Sequence, residues 1–274
     1  MDTVSCSESL KRWEQEIGWD DLSLTNKTII EYGCGSGRFL DIASSYNPEL
    51  AVGIDISDAV DAAYLNLGNR KNILIVQADI FNPPFRKNTF DFAYSIGVLH
   101  HTPEPERAFH TMTSLVSCNG SVGLSLYEIS LFDRPSYNSV KQSMIELLWS
   151  INMLRVEFFR IFTTRVPSYV MICYCKYIIP PLHYLNKIPI LRYFRYLLPS
   201  TCYPNLPVEW SMLDTHDTYA TKIVHMYRHK DIFQWFKRAR LVDIDISNSI
   251  PGWVSLTARR PSERQEQMST LVEN

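Results

Sequence analysis

The chain has 274 residues, of which 46% are hydrophobic and 20% are charged, and its net charge is −2. This composition is typical of a folded globular protein and gives no global indication of nucleic-acid binding. The length is sufficient for one sizeable core with an added lid.

Short apolar runs alternate with helix-like segments from residue 28 to residue 128. The runs TIIEY, LAVGIDIS, ILIVQADI, TFDFAYSIG and SVGLSLYE are interpreted as buried strands. The segments between them, such as GRFLDIASSYN and PERAFHTMTSLVS, carry apolar residues at helical spacing. This alternation predicts βαβ units and a doubly wound, mostly parallel sheet, with its ligand crevice at the carboxyl ends of the strands.

The alternation stops at residue 130, where an aromatic and proline-rich segment begins. We interpret residues 130–226 as short helices that form an inserted helical lid or substrate region. After it, KDIFQWFKRARL predicts an amphipathic helix, and VDIDIS and GWVSLTARR predict an antiparallel pair that completes seven strands. We therefore predict one domain over residues 1–260 and a polar tail over residues 261–274.

Cysteine usage and the first residues bear on the compartment. The chain opens on MDTVSCSESLKRWEQEIGWD, which is too polar for a secretory signal. None of the six cysteines forms a Cys-x-x-Cys pair, and Cys173 and Cys175 have the wrong spacing for a zinc knuckle. We expect free thiols, no metal site, no membrane span and a cytoplasmic location.

Three glycines follow the first strand in IIEYGCGSGRFLDI. A dinucleotide-binding fingerprint that starts at Gly33 needs its third glycine at position 38, which is Arg38. The Gly-Lys-Ser/Thr of a phosphate-binding loop is also absent. What remains is a tight turn whose backbone a ligand can approach closely.

Two carboxylates follow the turn at regular intervals, because Asp55 lies 24 residues after Glu31 and Asp79 lies 24 residues after Asp55. Both come at predicted strand ends, where Asp55 suits a ribose diol and Asp79 suits the amine of an adenine. A nucleoside without phosphates, such as S-adenosyl-L-methionine, fits this order best, with Glu31 at its amino-acid end. The alternatives are a helix cap for Asp55, a turn residue for Asp79 and a buried structural acid for Glu31.

These segments together resemble the class I S-adenosylmethionine-dependent methyltransferases. The resemblance covers roughly residues 25–130 and 229–258, and it rests on IIEYGCGSGRF, VGIDIS, VQADIFNPPF, FDFAYSIGVLHHTPEPERAF and NGSVGLSLYE. Residues 213–236 are also similar to small-molecule methyltransferases of bacterial biosynthetic clusters, although Thr218 departs from their usual Asp-Trp-Tyr. The resemblance implies that the cofactor contacts Glu31, Gly33, Cys34, Gly35, Gly37, Asp55, Ile56, Asp79, Ile80 and Ser95.

A hydroxyl acceptor would need a general base, for which histidine is best suited at neutral pH. His100 and His101 follow the fourth strand, and the resemblance places their stretch LHHTPEP beside the methyl end of the cofactor. They could equally cap the next helix. His216 and Tyr219 in the predicted lid are the other candidates, whereas we expect His225 and His229 at the surface.

The predicted function is methyl transfer from S-adenosyl-L-methionine to a small-molecule, glycan or isoprenoid-type acceptor, with oxygen favoured as the acceptor atom. An NAD-dependent oxidoreductase and a non-catalytic nucleoside-binding subunit are the alternatives. The missing third glycine disfavours the first, and the intact set of cofactor positions disfavours the second.

The partners are predicted from the charge distribution. Residues 151–240 carry 13 Lys and Arg against 5 Asp and Glu, which indicates either an anionic partner or a solvated basic face. Because these basic residues are spread out, we expect no nucleic-acid partner. In residues 169–198, IPILRYFRYLLP interleaves Arg192 and Arg195 with aromatic residues. We favour ordinary packing there, with a weak peripheral membrane contact as the alternative.

Overall fold

The computed structural model describes residues 3–128, 140–191, 196–247 and 252–265. The chain divides into two compact units. The first, here called the sheet unit, consists of Glu8–Asp133 and His225–Asn274, and the second, the helical unit, consists of Met1–Ser7 and Arg134–Val224. Each unit is described separately.

The sheet unit is built on a seven-stranded sheet in the order β3-β2-β1-β4-β5-β7-β6. The first five strands pair in parallel, and β7 runs antiparallel to both β5 and β6. The predicted seven-stranded, mostly parallel sheet is therefore confirmed, including its antiparallel end. The strands are β1 Thr28–Tyr32, β2 Leu50–Asp55, β3 Ile73–Gln77, β4 Phe90–Ile96, β5 Val116–Tyr127, β6 Val242–Ile246 and β7 Trp253–Arg259.

Helices connect these strands and form most of the helical unit. In chain order they are α1 Thr3–Glu16, α2 Asp21–Leu24, α3 Arg38–Ser45, α4 Ala59–Leu67, α5 Pro105–Ser114, α6 Val140–Thr163, α7 Ser168–Tyr177, α8 Ile179–Leu185, α9 Val208–Ala220 and α10 His229–Arg238. A short 3-10 helix, Leu99–His101, follows β4. No helix in the described part of the chain is both long enough and apolar enough to cross a bilayer.

Alternating side chains of β1 show why helices cover both faces of the sheet. Successive residues of a strand point to opposite faces. Ile29 packs into one core with Trp13 of α1, whereas Ile30 packs into the other core with Phe109 of α5 and Phe236 of α10. Because all of these side chains are buried, the central strands carry nearly continuous apolar sequence, as a doubly wound sheet requires.

The fifth strand begins earlier than the sequence analysis indicates. A helix was expected to run to residue 117, with a turn at Asn119 and Gly120, but α5 ends at Ser114. Val116 pairs with Phe90 and Ser121 pairs with Phe92, so the intervening residues form an irregularity within β5. The turn signal at Asn119, whose φ is 63°, therefore marks a distortion of the strand and not its beginning.

The helical unit packs α6, α7, α8 and α9 around small apolar clusters, one of which contains Val156, Met171 and Tyr219. Short helices were predicted here, and α7 to α9 agree, but α6 runs for 24 residues. The aromatic and proline-rich sequence of residues 130–226 indicated several short helices and gave no sign that the first of them is long. The role of residues 130–226 as a lid stays a prediction.

The thiols agree with the expectation from their spacing. The cysteines whose side chains are described are free: Cys34, Cys118, Cys173, Cys175 and Cys202.

Candidate cofactor-binding site

The glycine turn follows β1 and leads into α3 through backbone angles that favour glycine. Gly33, Gly35 and Gly37 have φ values of 77°, 51° and 86°. A β-carbon on Gly33 would lie 2.3 Å from Cγ1 of Val98, so the turn packs directly against the segment that follows β4. A β-carbon on Gly35 would meet nothing within 4 Å, so a ligand can approach the backbone there.

The Asp55 carboxylate ties the turn to the end of β2. Its Oδ2 accepts a hydrogen bond of 2.9 Å from the Gly35 N–H, and its Oδ1 accepts bonds from the Ser57 N–H and hydroxyl at 2.9 and 2.7 Å. The alternative of a helix cap fails, because α4 begins at Ala59 and Asp58 holds the capping position. Two features predicted to share a site, the turn and Asp55, are therefore in direct contact.

The Glu31 carboxyl at the end of β1 is almost fully buried. Burial raises its pKa to about 8, although the Tyr94 hydroxyl, which donates to Oε2 at 3.1 Å, and the positive charge of Arg38 both act to lower it. At neutral pH the carboxyl is therefore mostly protonated. An ammonium group bound beside it would favour the ionised form, because opposite charges stabilise each other strongly in a dry environment.

The other residues predicted to contact the cofactor differ in their solvent exposure. Ile56 is 68% exposed at the end of β2, whereas Ile80 packs into the core of the sheet unit. Asp79 is partly buried, and its Oδ1 accepts a bond of 2.9 Å from the Phe81 N–H, as the alternative of a turn residue requires. The remaining two are buried: the Ser95 hydroxyl donates to the Tyr32 carbonyl oxygen, and the Cys34 N–H donates to the Ile54 carbonyl oxygen.

These residues fit a nucleoside that carries an amino-acid tail and no phosphates. The approachable Gly35 backbone, the exposed Ile56 side chain and the Asp55 carboxylate offer an apolar surface beside hydrogen-bond acceptors. Buried Glu31 adds an acid suited to an amino group. S-adenosylmethionine has these groups, so the residues of the site fit it.

His100 lies in the short helix after β4, two residues beyond Val98, which packs against the glycine turn, and its ring is fully buried. Neither ring nitrogen has a hydrogen-bond partner within the described ranges. The ring packs against His101 and Tyr127, with centroids 4.1 and 3.9 Å away. Burial lowers the pKa of His100 well below its usual value, and His101, Arg12 and His225 act in the same direction. The imidazole is therefore neutral at neutral pH, and the same burial weakens it as a base.

The other base candidates are His101, His216 and Tyr219. His101 is partly buried next to His100 in the sheet unit, whereas His216 and Tyr219 lie on α9 of the helical unit. Tyr219 is fully buried in a small apolar cluster, and this burial raises its pKa. His100 and His101 therefore lie side by side, and a catalytic role for any of the four stays a prediction.

The surface prediction for His225 and His229 is wrong. His225 is partly buried and its backbone N–H donates to the His100 carbonyl oxygen at 2.9 Å. His229 is buried, with Nδ1 3.2 Å from Oε1 of Glu128 at the end of β5. A return of the chain to the sheet edge before α10 buries both, and periodicity within α10 does not reveal it.

The aromatic and basic side chains around His100 were not predicted from the sequence. Tyr127 ends β5 and Trp253 begins β7, with ring centroids 4.7 Å apart, and the guanidinium carbon of Arg12 lies 4.1 Å from the Trp253 ring centroid. Because β7 runs antiparallel to β5, its first residue, Trp253, lies at the edge of the sheet where the parallel strands end. The predicted antiparallel pair was therefore the one feature of the sequence that could have placed Trp253 near the site.

Gly33→Ala should destabilise the fold more than Gly35→Ala does. The left-handed conformation costs an alanine about 1–2 kcal/mol at either position, but only the Gly33 change also forces a methyl group into Val98. Urea unfolding of the two variants checks this. Equal free energies of unfolding for the two variants would show that the methyl group at position 33 is accommodated beside Val98 without loss of stability.

Comparison with known proteins gives one family match. Residues 30–123 match a family model described as a methyltransferase domain. The matched stretch runs from β1 into β5, and it includes the glycine turn, both acidic residues at strand ends, and His100.

Two curated relatives match over part of their length. The tRNA (carboxymethyluridine(34)-5-O)-methyltransferase of Saccharomyces cerevisiae is 35% identical over 89 residues, which are 32% of this chain and 30% of the relative. The tRNA U34 carboxymethyltransferase of Campylobacter curvus is 23% identical over 112 residues, 40% of this chain and 38% of the relative. The chain thus spans about a third of the length of the curated relatives it matches.

A solved structure, described as an S-adenosylmethionine dependent methyltransferase from Mesorhizobium loti, is similar over most of both chains. The TM-score is 0.50, the identity is 14%, and the similarity covers 87% of this chain and 93% of that one. At this identity the likeness concerns the fold alone.

Proposed function

We propose that this chain, which carries a class I S-adenosylmethionine-dependent methyltransferase domain with S-adenosylmethionine as its cofactor, methylates an oxygen atom of a small-molecule, glycan or isoprenoid-type acceptor. The observation that carries the proposal is the hydrogen bond from the Gly35 N–H to Asp55, which joins the glycine turn to the carboxylate suited to a ribose. Free thiols agree with a cytoplasmic location, which is part of the proposal.

Three acidic residues at the sheet edge would each bind a different group of the cofactor. Asp55 would accept from the ribose hydroxyls, Asp79 from the adenine amine, and Glu31 would pair with the amino group. When bound, S-adenosylmethionine supplies an electrophilic sulfonium methyl group and leaves as S-adenosylhomocysteine. The chain has only to bind both reactants, align them and exclude water.

A proton acceptor is needed because a hydroxyl loses its proton when its oxygen is methylated. We favour His100 for this step because its imidazole is neutral and neither ring nitrogen has a described partner, although the burial that lowers its pKa also weakens it as a base. Its segment also touches the glycine turn through Val98. His100 would hold the acceptor proton at a ring nitrogen and release it to water. His101, His216 and Tyr219 are the alternatives.

A nucleic-acid acceptor is the second candidate, because the two curated relatives carry tRNA in their names. The basic excess of residues 151–240 favours it, whereas the wide spacing of the basic residues disfavours it. Assays with unfractionated tRNA and with metabolite extracts, each with radiolabelled methyl donor, decide between the two. Label in tRNA alone would replace the small-molecule acceptor.

Calorimetry tests the cofactor assignment. We expect heat of binding with S-adenosylmethionine and S-adenosylhomocysteine, and none with NADH. Binding of NADH alone would overturn the proposal in favour of an oxidoreductase. Binding of S-adenosylmethionine without transfer to any acceptor would support a nucleoside-binding subunit instead.

Asp55→Ala should weaken cofactor binding by about 1–3 kcal/mol, which is the scale of lost hydrogen bonds to a charged group. Calorimetric titration with S-adenosylhomocysteine measures the change. Asp58→Ala is the matched control. It removes the same charge from an exposed side chain that lies three residues after Asp55. Unchanged affinity in Asp55→Ala would remove this residue from the site.

A further inference from the structure

Residues 158–208 contain no acidic residue, although an average share of the 29 in the chain would place about five there. Glu157 and Glu209 bound this acid-free segment. Six basic residues lie within it: Arg160, Arg165, Lys176, Lys187, Arg192 and Arg195. A one-sided charge of this kind favours contact with an anionic surface.

An apolar stripe on α6 leads into this segment. Its five side chains recur at helical spacing, and each is more than half exposed, with Leu154 at 72%. Residues three, four and seven apart lie on the same face of a helix, so the five form a continuous surface. They are Ile151, Leu154, Phe158, Ile161 and Phe162.

Further exposed apolar side chains occur beyond α6. On α7, Tyr169, Ile172 and Tyr177 are also more than half exposed, and Ile190 and Leu197 follow at 82% and 69%. This is far more exposed apolar surface than scattered single residues would give. Aromatic side chains are abundant in it, as they are in proteins that bind at a membrane interface.

Exposed basic residues accompany the apolar ones. Arg165 follows α6, Lys176 lies near the end of α7, and Lys187 follows α8. The Nζ atoms of Lys176 and Lys187 lie 5.6 and 5.1 Å from the ring centroids of Tyr177 and Tyr184. Aromatic and basic groups therefore occur side by side, an arrangement suited to the boundary between lipid headgroups and acyl chains.

We propose that residues 151–191 and 196–197 of the helical unit bind the surface of an anionic phospholipid bilayer. The exposed apolar side chains would enter the headgroup region, and Arg165, Lys176 and Lys187 would contact lipid phosphates. Nucleic acid would leave the apolar stripe in water, whereas a bilayer accommodates both features. The described helices are too short or too polar to span the membrane, so the contact is peripheral.

This surface begins earlier than the contact predicted for residues 169–198, because it includes the stripe on α6. Residues 192–195, which contain the two arginines of the original prediction, lie outside the described residues. The proposal therefore depends on the described side chains from 151 to 191 and on Leu197. It does not depend on the methyl-transfer activity, so failure of one leaves the other intact.

Vesicle co-sedimentation of the full chain tests the proposal. We expect the protein to pellet with vesicles made of equal parts phosphatidylcholine and phosphatidylglycerol, and to remain in solution with phosphatidylcholine alone. Binding should weaken as salt is raised, because ions screen the attraction to the headgroups.

Two double variants separate the apolar and charged contributions. Leu154→Ser/Phe158→Ser removes part of the stripe, and Arg165→Glu/Lys176→Glu reverses two charges. Each should weaken vesicle binding by about ten-fold or more. The controls, Leu22→Ser/Leu65→Ser and Lys27→Glu/Lys71→Glu, make the same kinds of change at exposed residues of the sheet unit and should bind like the unmodified chain.

Three outcomes would overturn the proposal. The first is no pelleting with anionic vesicles, and the second is equal loss of binding in the variants and in their controls. The third is a concentration-dependent dimer in light scattering that disappears in Leu154→Ser/Phe158→Ser while the vesicles bind nothing. That result would assign the stripe to a second copy of the chain.

Discussion

Replacing His100 by phenylalanine should lower the rate of methyl transfer about 10²–10⁴-fold, the usual contribution of a general base. The new ring would retain the packing against Tyr127 and His101 but could not accept a proton. Initial rates at saturating cofactor measure the loss. The affinity for S-adenosylhomocysteine should stay close to that of the unmodified chain, because His100 is not among the groups assigned to the cofactor.

The stability of the same variant separates catalysis from structure. Both imidazole nitrogens are buried without a partner within the described ranges, so an apolar ring should leave the free energy of unfolding unchanged or raise it. A purely structural His100 would give the opposite pattern, with stability lost and activity kept. Tyr219→Phe and His216→Phe are the rival variants, and a larger rate loss in either would transfer the base to the helical unit.

Much of the cofactor site could be predicted because its parts are local. The glycine turn is fixed by residues adjacent in the chain, and Asp55 ends a strand that lies next to it in any sheet of this topology. The direct bond from the Gly35 N–H to Asp55 follows from that geometry.

The surroundings of His100 could not be predicted in the same way. Arg12, Tyr127 and Trp253 come from three distant parts of the chain, and only the pairing of β5 with β7 brings the last two together. Their residue types alone indicate ordinary core packing. The length of α6 was also missed, because apolar residues lie on both its buried and its exposed faces, such as Val156 and Leu154, and this blurs the amphipathic pattern.

The pKa of the Glu31 carboxyl is another property that the sequence does not show. Its pKa in the folded chain is raised from 4.5 to about 8 by burial. Below pH 4.5, the pKa of Glu31 in the unfolded chain, the carboxyl is protonated in both the folded and the unfolded state. Folding then buries no charge. Between about pH 4.5 and pH 8 the unfolded chain loses this proton and the folded chain keeps it, so folding is progressively disfavoured.

Glu31→Gln should therefore gain stability relative to the unmodified chain as pH rises through this window. The difference in the free energy of unfolding should grow by up to about 1.4 kcal/mol per pH unit and become constant above about pH 8. The Tyr94 hydroxyl can still donate to the amide oxygen, so the local geometry is kept. Urea unfolding of both proteins at several pH values measures this difference.

Cofactor binding should reverse the effect, because an amino group beside Glu31 stabilises its ionised form. Titration at neutral pH in buffers of different ionisation enthalpy should then reveal release of a proton in the unmodified chain and none in Glu31→Gln. Parallel stability curves for the two proteins would show instead that Glu31 is ionised throughout. Proton release that persists in Glu31→Gln would place the responsible group elsewhere in the site.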